Sequence, residues 1–202
     1  MSLNIRKSMM RNYFDSQLSN LRSEGINTGE IAPLRDKIPE VIALSSKGNI
    51  SLLIVIPFAI APFADQFPKI RLGSKKESYT FLDPALIYDQ NPNLPDQPYL
   101  ITDVDDGRAA LNRSPDRCVQ MFKLKGRSAG TVNQSLALII KRPGTLGHHY
   151  LQCSGSRIKD VNSGRLYVPD FYVFAGRLKM KREEPDDEDP RWGTLSYRDV
   201  IV

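Results

Sequence analysis

Cysteine is the first scarcity. Only Cys118 and Cys153 occur in 202 residues, too few for a disulfide framework and too isolated for a structural zinc site. Long apolar runs are also missing. The most hydrophobic stretch, Ile50 to Ala64, is interrupted by Pro57 and Pro62 and falls short of the ~20 residues that a membrane-spanning helix needs. Residues 1–12 are polar and basic and lack the apolar segment of a secretory signal, so the expected location is the reducing cytoplasm, with no membrane partner. No internal period recurs, which excludes a repeat architecture. There is no Gly-rich phosphate loop and no nucleic-acid-binding motif of a known pattern.

What is present is ordinary globular composition, 41% hydrophobic and 25% charged, with a net charge of +5 from 28 basic and 23 acidic side chains. Such a chain buries one substantial core, and residues 1–202 are expected to form one domain. The basic side chains are dispersed except at Arg177, Lys179, Lys181 and Arg182, and an acidic run from Glu183 to Asp189 follows at once. Residues 181–191 are therefore expected to be a charged, flexible segment.

Met10, Tyr13, Phe14, Gln17 and Leu21 recur at helical spacing, which predicts a helix over Ser8–Glu24 with Gly25 as its left-handed cap. Ile31, Leu34, Ile38, Val41 and Ile42 predict a second helix over Thr28–Ser46, closed by Gly48 and kinked or split at Pro39. The pattern then changes. Ser51–Ile56 and Tyr99–Val104 read as buried strands, and Tyr79–Leu82 as a short one. Ser114-Pro115 and Thr131 open two further helices. Tyr150–Cys153, Tyr167–Val168, Phe171–Phe174 and Leu178–Met180 are strand candidates joined by short turns. The expected class is α+β: an N-terminal helical hairpin, then a mixed, largely antiparallel sheet with helices packed on it.

Two stretches hold residues that could do chemistry. In Tyr99-Leu-Ile-Thr-Asp103-Val-Asp105-Asp106-Gly107, strand alternation would aim Asp103 and Asp105 to one side. Such a pair is a candidate for catalysis, and with Asp106 a candidate set of ligands for Mg²⁺. The structural alternative, favoured on turn chemistry, is that these aspartates cap backbone amides at a strand-to-helix junction. An EF-hand is excluded because Gly107 falls one position early and Ser114 stands where the closing Glu belongs. The second stretch runs from His148 to Arg157. Ser156 and Arg157, after Gly155, are candidates for gripping a phosphate or carboxylate; Cys153 reads as a buried strand residue rather than a nucleophile. Tyr167, Phe171, Tyr172 and Phe174 lie near Arg165, Arg177 and Lys179. Tyr172 and Phe174 share one face and are as readily core as stacking platform; core packing is the favoured reading, which ranks nucleic acid last among the possible partners.

The Asp-x-Asp strand end with its following glycine resembles the motif of aspartate-dependent phosphatases of the haloacid dehalogenase type. Here half the chain precedes it, and no Ser/Thr strand end, lysine and second acidic pair follow. A wider resemblance rests on phrases in fixed order: Arg11-Asn-Tyr-Phe-Asp15, the strand Tyr99–Asp105, Leu111-Asn112, Ser114-Pro115-Asp116, Gly126-Arg127-Ser128, Gly155-Ser-Arg157, Val168-Pro169 and Gly176-Arg-Leu-Lys179. Together they resemble an uncharacterised bacterial domain-of-unknown-function family, departing from it after Met180. That resemblance implies no activity, cofactor or catalytic residue. The sequence thus leaves the function unknown, with a small-molecule or protein-binding module ahead of a metal-assisted phosphate-ester hydrolase built on Asp103 and Asp105. No cofactor is evident except Mg²⁺ under the second reading, and no partner or oligomeric state is legible.

Overall fold

The computed structural model describes residues 3–44, 50–72 and 76–202. Helix α1 spans Leu3–Ser23. Gly25 follows in the left-handed region at φ 73°, and the amide of Ile26 donates back to the carbonyl of Leu21, the turn geometry a glycine allows without strain. The second helical stretch divides as Pro39 requires: a 3₁₀ turn over Ala32–Lys37 precedes α2, Ile38–Ala43, whose first turn holds the proline. The expected end of that helix at Ser46 and Gly48 lies outside the described residues.

Strand β1, Ile50–Val55, is followed by the single-turn helix α3, Phe63–Gln66. The short strands β2, Tyr79–Thr80, and β3, Ile87–Asp89, lead to β4, Tyr99–Val104. Helix α4 covers Pro115–Leu124, β5 Ser128–Ala129 and α5 Val132–Lys141. At the head of α5, Thr131 and Gln134 exchange hydrogen bonds as a capping box, which satisfies two amides left without intrahelical partners. The rest is strand: β6 Tyr150–Gln152, β7 Ser156–Lys159, β8 Leu166–Phe174, β9 Arg177–Glu183, β10 Trp192–Thr194, β11 Ser196–Tyr197 and β12 Val200–Ile201. The class is α+β, with largely antiparallel pairing.

Sheet one orders β1-β4-β12, all antiparallel. Its β1 is apolar on both faces because each face meets a different core. Leu52 and Ile54 pack with Phe14, Leu18, Ile38 and Val41 of α1 and α2. Leu53 and Val55 pack with Leu136 and Ile139 of α5 and with Leu151, Phe171 and Met180 of the second sheet. In that second sheet β8 pairs with β6, β7 and β9, while β10 extends it beyond β6 and β2 beyond β9.

Two strand expectations change. The Gly155-Ser156-Arg157 segment is not a free turn, because Ser156 and Arg157 open β7 and pair with Asp89 and Tyr88. The charged run also starts inside a strand: β9 continues through Lys181 and Arg182 to Glu183. Alternation there sends Leu178 and Met180 into the core and Arg177, Lys179, Lys181 and Glu183 to the other side.

Candidate functional site

Asp103 is the centre of the best-built polar cluster. It is a non-glycine residue in the left-handed region, φ 51°, within a bulge of β4. The chain returning through β11 explains the bulge. Arg198 N donates to Thr102 O, and Asp105 exchanges both main-chain bonds with Ser196, so Asp103 and Val104 together face Tyr197 alone. Alternation is broken at this point. Asp103 and Asp105 still border one cleft, but the bulge rather than the strand pleat brings them there.

The buried carboxylate of Asp103 is held by two guanidinium groups. Arg127 Nη1 lies 2.9 Å and Arg198 Nε 3.1 Å from the same oxygen, Oδ2. Arg127 also donates from Nε to Ser196 Oγ at 3.0 Å, and from Nη2 to the carbonyls of Ser196 and Asp103 itself. Its position follows from how α4 ends. Gly126, at φ 61°, lets the amides of Gly126 and Arg127 close back on Lys123 and Phe122, a Schellman turn that fixes the direction of the next side chain. The Gly126-Arg127-Ser128 phrase is therefore a helix stop followed by a clamp on Asp103.

The two arginines differ in what remains open. Arg127 is 13% exposed, whereas Arg198 is 46% exposed. Among the described residues Arg198 is engaged only through Nε, leaving Nη1 and Nη2 without an acceptor. The cleft beside them, about 230 Å³, is bordered by Arg198, Arg127, Lys125, Met121 and Phe122 as well as the two aspartates. Three cations against two carboxylates give it a positive balance, and Asp103 is already neutralised.

The other acidic candidates serve the turn. Asp105 Oδ1 accepts from the amide of Gly107 at 3.0 Å and faces that of Ala109. Asp106 pairs with Arg108 at 2.9 Å. Gly107 is left-handed at φ 106°, and a Cβ there would lie 2.9 Å from His149 Nε2; His149 in turn donates from Nε2 to the carbonyl of Asp106. No group of three or more His, Cys, Asp or Glu side chains is gathered to hold a metal among the described residues.

Ser156 and Arg157 lie elsewhere. Ser156 Oγ accepts from the amide of Val132 and donates to Asp89 Oδ1. It thereby ties the start of α5 to β3. Arg157 is buried, donating to the carbonyls of Ser154 and Ser156 and pairing with Asp116 of α4 at 2.6 Å. It does not border the Asp103 cleft. Cys153 is fully buried, and burial pushes its thiol far above the ordinary range, which removes the thiolate a nucleophile requires.

Lys125, Arg127 and Arg198 were not candidates on sequence grounds. Arg127 could have been found from the helix-stop signature around Gly126. Arg198 could not, since it meets Asp103 across 95 positions.

A family model described as a family of unknown function, DUF5701, matches residues 16–187. The match carries past Met180, where the recognisable phrases end. No curated protein and no solved structure matches the chain. No helix among the described residues is long and apolar enough to cross a membrane.

Proposed function

Because the chain belongs to DUF5701, a family of unknown function, membership brings no activity with it, and we propose from the geometry that the protein is a binding module for a small anion. The anion would be a phosphate or carboxylate group seated in the cleft beside Asp103. The observation that carries this reading is the unequal use of the two arginines. Asp103 and the main chain consume Arg127, while Arg198 is steadied through Nε and keeps a forked pair of donors at the cleft. A guanidinium held in this way has lost part of its rotamer freedom before a ligand arrives, and a planar oxyanion meets its fork with two parallel bonds. Lys125 adds a second cation, and Met121 and Phe122 supply an apolar wall. At about 230 Å³ the cleft is smaller than the usual drug-sized pocket, which suits a head group rather than a whole cofactor.

A hydrolase would need Asp103, Asp105 and Asp106 free to share Mg²⁺ or to attack. Two guanidinium groups occupy the first, turn amides the second and Arg108 the third. Binding is therefore favoured over catalysis. Isothermal titration with inorganic phosphate and with succinate tests it. Saturable binding that Arg198→Ala abolishes and Lys125→Ala weakens is expected. Equal heats in wild type and a folded Arg198→Ala would end the proposal.

A further inference from the structure

The second sheet has a face opposite the main core, buried at Asp170 and Gln152 and open around Tyr172 and Phe174, where its side chains form an ordered series. Pairing registers place Tyr79 of β2 opposite Lys179 of β9, Lys179 opposite Tyr172 of β8, and Trp192 of β10 opposite Tyr150 of β6. Tyr150 and Tyr172 meet edge to face at 5.8 Å. One row thus reads Tyr79, Lys179, Tyr172, Tyr150, Trp192 across five strands, ~19 Å at the usual strand spacing. Only Trp192 at its end is buried. Phe174 and Phe81 extend the row sideways and are 59% and 91% exposed.

Cations are interleaved with these rings. Lys179 Nζ sits between two of them, 4.6 Å from the centre of Tyr79 and 4.2 Å from that of Phe174. Arg177 lies 4.6 Å over Tyr79, Lys181 5.4 Å over Tyr172 and Arg191 5.4 Å over Tyr150. Arg191 and Lys181 have nearby carboxylate partners, Asp189 and Glu183; Lys179 pairs with no carboxylate among the described residues. The expectation that these aromatics pack the core holds for Phe171, which is fully buried, and fails for Tyr172 and Phe174. They share a strand with Phe171 but have the opposite parity, and α5 and the first sheet cover only one face.

We propose that this open face binds single-stranded nucleic acid. Exposed rings on a sheet offer stacking planes to unpaired bases, and cations between them meet the backbone phosphates. Charge complementarity selects this occupant, since an apolar protein partner would leave the desolvated cations unpaired. A duplex keeps its bases stacked internally and cannot use the rings.

Fluorescence anisotropy with a labelled single-stranded oligothymidylate, and with a duplex of the same length, tests the proposal. The single strand is expected to bind more tightly than the duplex, and log K is expected to fall linearly with log salt at about −0.7 per phosphate contacted. Phe174→Ala and Tyr172→Ala should each weaken binding roughly tenfold, and Lys179→Glu should weaken it further, with circular dichroism unchanged because Phe174 is exposed and Tyr172 and Lys179 are half-buried outside the core clusters. Arg198→Ala lies on the other site and should leave oligonucleotide binding intact. Equal affinity for duplex and single strand, or folded Phe174→Ala and Tyr172→Ala proteins that bind like wild type, would overturn it.

Discussion

Arg127 grips Asp103 twice, through the carboxylate at 2.9 Å and through the main-chain carbonyl of the same residue. The side chain that supplies charge to the cleft also holds the bulge that puts Asp103 there. Breaking a buried, hydrogen-bonded ion pair from one side leaves the other charge unpaired, at about 3–5 kcal/mol. Arg127→Met and Asp103→Asn are each expected to cost on that order in urea denaturation. The double variant should cost clearly less than their sum, because the two residues share one network. Additive costs would show that the contact is incidental.

Arg198 should behave differently. It is half exposed and makes one bond to a carboxylate that Arg127 already satisfies, so Arg198→Ala is expected to cost about 1 kcal/mol or less. The melting temperature should move little while the response to phosphate disappears. A loss of stability as large as that of Arg127→Met would make Arg198 a structural group.

Asp170 lies fully buried on β8, beside Gln152 of β6 and Lys181 of β9 in the pairing register. Among the described residues, neither its carboxylate oxygens nor the Gln152 amide has a hydrogen-bond partner. Burial pushes its pKa up from 3.8 to about 7, with Lys181 pulling the other way. The folded state therefore favours the neutral acid. Its contribution is fully present below about pH 4 and is lost as pH rises towards 7, on the order of 4 kcal/mol across the window. Chemical denaturation of wild type against Asp170→Asn from pH 4 to 8 should show the variant gaining relative stability as pH rises. A pH-independent difference would mean that Asp170 ionises as freely as in water.

Gly155 is needed for space. A Cβ there would stand 2.5 Å from the carbonyl oxygen of Ala129 and 3.0 Å from Gly130, both main chain, where neither neighbour can swing aside. Gly155→Ala is expected to cost about 2–3 kcal/mol. Gly176→Ala meets open space and only a strained φ of 72°, at about 1 kcal/mol. Comparable thermal denaturation shifts for the two would contradict the packing account.

The sequence was legible where the cause is local. Pro39 dividing a helix, Gly25 ending one, Thr131 opening another and the apolar run Leu52–Val55 of β1 are all set by near neighbours, and the structure carries each of them. It was less legible where pairing partners are distant. β10, β11 and β12 are two or three residues long and take their form from strands far back in the chain, so periodicity could not reveal them. The candidate site divides the same way. Asp105 and Asp106 showed as turn acids because their partners are two to four residues away. The fate of Asp103 depends on Arg127 and Arg198, 24 and 95 residues off. Ser156 and Arg157 looked like an exposed turn because Ser-Arg-Ile-Lys is a poor strand pattern alone; β3 and β8 on its flanks make it one.

Amide chemical shifts recorded while inorganic phosphate is titrated into the ¹⁵N-labelled protein give the most direct test of a ligand site beside Asp103. Saturable movement confined to residues 103–109, 121–127 and 196–198, and absent from Arg198→Ala, is the predicted result. Shifts that fail to saturate, or that cluster on another surface, would contradict it.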